Sequence, residues 1–218
     1  MAAKTAVQVI SIAIAFIGSG GIASLSLFDV PELQSQPADR ALPSLRYLFS
    51  RGSHIFPQAA MISSVGFVYL AYASLPVAQR SAVELLKLAV SGGKVSGYLA
   101  AAALTFGIAP WTMLVMVPTN FKLIQMNEDL GGARSAASVE KGDAKPGQKT
   151  AEESAFSKGA AGEFGDLSGP QGRTAQRSSG EDDRKVRELL ARFGRLNGLR
   201  AVLMGAGGVV GLWVALAL

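Results

Sequence analysis

The chain has 218 residues, a formal net charge of +5 and a mean hydropathy of +0.30, high for a soluble domain of that size, so a membrane class is tested first. It has no cysteine and a single histidine, His54. That excludes disulfides, thiolate nucleophiles, iron–sulfur clusters, cysteine zinc sites and any site needing two imidazoles from one chain.

Charged residues are 17% of the chain and gather in a few blocks, leaving long runs without any. A spanning helix needs about 20 mostly apolar residues. Ala6 to Phe28 is the first such run. A cleaved signal peptide competes, because Lys4 precedes the run and small residues lie near Ala23 and Ser24. The run exceeds the roughly 7–15 residues of a signal core, which favours a retained helix. A polar segment follows from Asp29 to Pro57, where Pro31, Pro37 and Pro43 read as turns. Its end, LRYLFSRGSHIFPQ, places Leu45, Leu48 and Phe49 on one face and predicts a short interfacial or re-entrant helix.

Ala59 to Ala78 is the second span. Arg80, Glu84, Lys87 and Lys94 mark a short connection containing the amphipathic AVELLKLAV, so helices two and three are expected to be antiparallel neighbours. The third span, Ser96 to Val117, contains Pro110, which removes a backbone donor and predicts a kink. From Gly131 to about Asp183, Gly, Ala, Ser, Lys and Glu dominate and large apolar side chains nearly vanish, which predicts a disordered loop. DDRKVRELLARFGRLNGLR then puts Val186, Leu189, Leu190, Phe193 and Leu196 on one face of a helix that lies along the membrane or extends the last span. Leu199 to Leu218 is the fourth span, with Gly207 and Gly211 at GxxxG spacing.

The expected fold is therefore all-α, an integral membrane four-helix bundle with a long disordered loop between helices three and four. Residues 1–130 hold three spans and a polar first loop, 131–183 the loop, and 184–218 the amphipathic lead-in and last span. Both termini then share one side with Lys4, Arg80, Lys87 and Lys94; Arg40, Arg46, Arg51, Lys122 and the stretch from Arg184 to Arg200 lie opposite. That basic excess places the two long loops in the cytoplasm, in a multi-pass protein of an intracellular membrane.

GSGGIA at Gly18 to Ala23 matches a dinucleotide fingerprint in letters only. It lacks the preceding strand that motif needs, so helix packing is the better reading. Polar residues at the span ends carry more: Arg51, His54 and Gln58 entering helix two, Thr119, Asn120, Gln125 and Asn127 leaving helix three, and Arg195, Asn197 and Arg200 entering helix four. The expected topology puts all three junctions at one end of the bundle. Ionisable groups within a span point to function, whereas arginines at helix ends also simply snorkel to headgroups. Imidazole is the one side chain whose ordinary pKa lies near neutrality, so His54 is either a general base or an interfacial residue without a chemical role.

The segments APWTMLVMVPTNFKLIQMN, RFGRLNGLRAVL and FSRGSHIFPQAA resemble the fungal anthrone oxygenases, small four-span membrane proteins of aromatic polyketide pathways. Pro118-Thr119-Asn120 and Asn197 to Arg200 are the most specific elements of that likeness, which leaves out the loop from Gly131 to Asp183. The resemblance implies oxidation of an anthrone such as emodin anthrone to its anthraquinone, with O2 as co-substrate and no flavin, haem or added metal. It suggests His54 as base, Arg51 and Arg200 as stabilisers of enolate or superoxide charge, and Asn120 and Asn197 as hydrogen-bond donors to the substrate. Gln58, Trp111, Tyr72 and Phe67 are candidates to line it. The expected partners are the anthrone, the lipid bilayer and other pathway enzymes, with no nucleic acid. A membrane scaffold or transporter-like accessory protein is the alternative.

Overall fold

The computed structural model describes residues 2–156 and 166–217, and every regular element among them is helical. Four helices are long and apolar enough to cross a membrane: α1 (Ala2–Gln34), α2 (Ala38–Ala73), α4 (Gly93–Asp129) and α7 (Gly180–Ala217). Among the described residues there are also three short α-helices, α3 (Ala82–Lys87) in the α2–α4 connection and α5 (Ala136–Glu140) and α6 (Ala151–Phe156) between α4 and α7, with 3-10 turns at Val77–Gln79 and Leu88–Val90.

The spans are longer than expected, because the polar flanks continue the helices. Pro31 lies in α1 and Pro43 in α2, so neither makes a turn. Only the stretch around Ser35–Pro37 turns the chain. The expected interfacial or re-entrant helix is instead the N-terminal half of α2, with Leu45 buried at 2% exposure. The amphipathic lead-in of residues 184–198 likewise extends the last span within α7. α4 is irregular on both sides of Pro110, with a turn at Gly107 and a π-helical stretch at Thr112–Met116.

The chain forms two compact units: residues 1–23, 56–113 and 198–218 make the first, and 24–55 with 114–197 the second. Each long helix contributes one segment to each unit.

The first unit is the apolar one. Its core stacks Phe67 against Tyr98 at 6.4 Å and packs Ala15, Leu70, Ala101 and Val214 around them. With lipid outside, the hydrophobic effect adds little between helices, so close backbone approach and internal hydrogen bonds must hold them. Small residues provide the approach. A Cβ at Gly207 would meet the Ala101 carbonyl oxygen at 2.9 Å, and one at Gly211 would strike the Phe67 ring. The GxxxG pair thus packs inside this unit, and GSGGIA is likewise plain helix, with Gly18 against Met204. Hydroxyls provide the bonds: Ser63 Oγ donates to the Ser11 carbonyl at 2.8 Å, Ser19 Oγ to the Ala201 carbonyl at 2.8 Å, and Ser64 and Thr105 share a hydrogen at 2.8 Å.

The second unit contains the segment expected to be disordered, and its described residues are folded. α4 ends in a Schellman turn, where Gly131 (φ +73°) donates to the Glu128 carbonyl at 3.0 Å and Gly132 to that of Asn127 at 2.7 Å. Beyond it, Gly147 donates to the Glu128 carbonyl at 2.9 Å, Gln176 to that of Leu130 at 2.9 Å, and Thr174 to that of Asp39 at 2.8 Å. The Asp39 carboxylate meets Arg173 at 3.3 Å. Residues 157–165 of the expected loop lie outside the described residues.

Gly207→Leu is expected to destabilise the protein by about 1–3 kcal/mol through overpacking. Gly20→Leu is expected to be neutral, since no heavy atom lies within 4 Å of a Cβ there. Thermal unfolding of the two variants in detergent checks the contrast.

Candidate functional site

Two of the long helices widen just before a proline. Leu25–Asp29 of α1 and Thr112–Met116 of α4 are π-helical, and Pro31 and Pro118 follow each by two residues. A proline lacks the N–H that would continue the ladder, so the turn before it is easily expanded. In α4, Thr112 Oγ1 donates to the Ile108 carbonyl at 2.6 Å and so satisfies part of what the irregularity exposes. In α1, the π-helical stretch sets Ser26 to accept the Asn197 side-chain amide at 3.1 Å, and Asn197 is fully buried. Ser26 was not legible as a polar partner, because it lies inside an apolar run.

His54 sits near the middle of α2 with Nδ1 2.9 Å from the Ser50 carbonyl oxygen, one helical turn back. A carbonyl only accepts, so Nδ1 carries the hydrogen in this contact. Arg51, one turn from Tyr47, holds its guanidinium 5.0 Å over that ring and donates to the Asp166 carbonyl. Asn120 buries its side-chain oxygen with no hydrogen-bond partner among the described residues. Arg51, His54, Asn120 and Asn197 all belong to the second unit.

Gln58, Tyr72, Trp111 and Arg200 belong to the first. Arg200 places its guanidinium 6.0 Å over the Phe56 ring. Tyr72 faces the Arg80 guanidinium at 6.0 Å. Phe67 is fully buried against Tyr98 and has no surface for a ligand.

A buried polar cluster that sequence reasoning missed holds the second unit together. Ser154 on α6 donates to Glu128 Oε1 at 2.6 Å. Arg46 on α2 donates to the Ser154 carbonyl at 2.9 Å, and Arg134 donates to that same carbonyl. Arg46, Glu128 and Ser154 are each at most 4% exposed. Glu128 follows Asn127, so an acid beside an amide just past a span was the available signal. Nearby, the hydroxyls of Ser135 and Ser168 and the Ser168 amide lower the Asp166 carboxyl to about 2. No group of three or more His, Asp or Glu side chains among the described residues is placed to hold a metal ion.

Four apolar spanning helices define a multi-pass α-helical membrane protein. The chain belongs to the anthrone oxygenase family, whose model matches residues 45–210. It is 31% identical over 204 residues to anthrone oxygenase encC of Aspergillus fumigatus, an overlap covering 91% of this chain and 86% of that protein. No solved structure matches it.

Two outcomes follow from the polar cluster and its neighbour. Glu128→Ala leaves the buried Ser154 hydroxyl without its acceptor, and should cost about 1–3 kcal/mol and expose residues 131–156 to protease. Glu128→Gln keeps an acceptor for Ser154 and should cost less. For Asp166, a folded pKa below the ordinary 3.8 means the carboxylate stabilises the folded segment above about pH 4, and that this contribution is lost as pH falls towards 2. A carboxyl carbon NMR titration should give a midpoint near 2, and a midpoint near 3.8 would show those contacts are not held.

Proposed function

We propose that this chain oxidises an anthrone of the emodin anthrone type to its anthraquinone with O2, beginning with removal of a proton from the central methylene carbon by His54. Family membership supports the reaction class, and the observation that carries the residue assignment is the His54 Nδ1 contact to the Ser50 carbonyl. That contact orients the ring, as a general base requires.

The chemistry needs little beyond a base and a place for charge. Loss of the methylene proton gives a conjugated, electron-rich carbanion, better written as the aromatic enolate. It passes one electron to O2, forming superoxide and a carbon radical, and their coupling with a proton gives the hydroperoxide. Removal of the second hydrogen from the same carbon as a proton breaks the O–O bond, leaving the carbonyl and one water. One O2 is consumed for each anthrone, and no external reductant is needed.

Within the second unit, Arg51 is assigned to the anionic intermediates and Asn120 and Asn197 to the substrate oxygens. The unpartnered oxygen of Asn120 suits a phenolic O–H of the substrate, an acceptor role in place of the donor role expected from sequence. Ser26 accepts from Asn197 and so holds that amide in place. Gln58, Trp111, Tyr72 and Arg200 carry no step in this scheme.

Protein purified into lipid nanodiscs, supplied with emodin anthrone, should consume O2 one-to-one above the spontaneous rate. His54→Ala should lose about 100-fold or more of that excess. Retention of full activity by His54→Ala would remove the base assignment. Absence of O2 uptake by the native protein would instead favour a scaffold role.

A further inference from the structure

The first unit contains a groove of about 440 Å³ between α2 and α4. Met61, Ser64, Val65 and Val68 form one wall, and Leu99, Ala102, Ala103 and Phe106 the other. Both sets follow the i, i+3, i+4, i+7 spacing of a single helix face, so the groove runs along the helix axes for about 10 Å. Met61, Val65, Val68 and Phe106 are 52%, 58%, 41% and 47% exposed, which makes the groove continuous with the lipid-facing surface.

No charged residue lines it, and its one hydroxyl, that of Ser64, is turned inward onto the buried Thr105. Ser64 Oγ lies 2.6 Å from the Ala60 carbonyl and 2.8 Å from Thr105 Oγ1, while Thr105 reaches the Ala101 carbonyl at 3.0 Å. With those groups occupied by one another and by backbone, the groove presents hydrocarbon to whatever enters. The small side chains of Ala102 and Ala103 keep the α4 wall flat beside the Phe106 ring. A flat, uncharged hydrocarbon face suits a planar fused-ring molecule, and the groove is of the size range of small-molecule pockets.

We propose that this groove is the membrane-side binding site for the planar anthrone, which enters it laterally from the lipid. The proposal rests on the anthrone reading above.

The test uses the protein in phosphatidylcholine nanodiscs irradiated with 9,10-anthraquinone. The excited quinone carbonyl abstracts hydrogen from a neighbouring C–H, and the two resulting radicals couple to give a covalent adduct. Adducts should concentrate on residues 61–68 and 99–106. Ala103→Trp, which fills the groove from an exposed position, should cut that labelling at least about tenfold and raise KM for emodin anthrone with kcat within about twofold. Val202→Trp, on a lipid-facing position outside the groove, should change neither. Labelling spread evenly over all lipid-facing segments, or unaffected by Ala103→Trp, would assign the groove to lipid acyl chains and overturn the proposal. Labelling confined to the groove, in nanodiscs that fail to oxidise emodin anthrone, would leave the groove as a planar-aromatic site and remove the catalytic reading instead.

Discussion

Lipid offers no hydrogen bonds, so every backbone group within the bilayer must be satisfied by the chain itself. The four long helices meet that demand along their spans and then overshoot. At 33 to 38 residues they run about 50–57 Å, against roughly 30 Å of hydrocarbon, so much of each helix must stand in water or against protein. Those overshooting ends are rich in polar residues, and packing them together is what the second unit achieves. Among its connecting residues, Gly147, Thr174 and Gln176 complete the hydrogen bonding around Glu128, Asp39 and Leu130.

Proline disturbs this arrangement at two places. Pro31 and Pro118 each follow a π-helical stretch, in which the ladder is looser and side chains are turned out of ordinary register. The consequence in α1 is that Ser26 and Asn197 pair across two helices. Buried amides are otherwise scarce in a membrane bundle, yet in the second unit Asn127 and Asn197 are fully buried and Asn120 buries its side-chain oxygen. Asn127 buries both ends of its amide with no partner among the described residues, at a point where a Cβ on Gly132 would collide with it. Gly132 is thus required by the Asn127 side chain as much as by the turn that ends α4.

How much of this was legible differs by element. The spans were, because an uninterrupted apolar run has few alternatives, and the resemblance carried by Pro118-Thr119-Asn120 and Asn197 to Arg200 led to the right family. The extensions of α1 and α2 were not, because prolines read as turns also fit helices: Pro31 follows the π-helical stretch of α1, and Pro43 lies in the second turn of α2. The segment from Gly131 misled for a different reason. Judging order by apolar content ignores polar closure, and here Ser154 meets Glu128 from 26 residues away and Arg46 from 108.

The apolar groove of the first unit and the polar residues of the second meet opposite demands. Forming a charge among Met61, Val65 and Phe106 would carry a large desolvation penalty, since no donor or cation lines those walls. Arg51, Asn120 and Asn197 belong to the second unit, which supplies N–H donors and a guanidinium. Contact with hydrocarbon and stabilisation of charge thus fall to different parts of the chain.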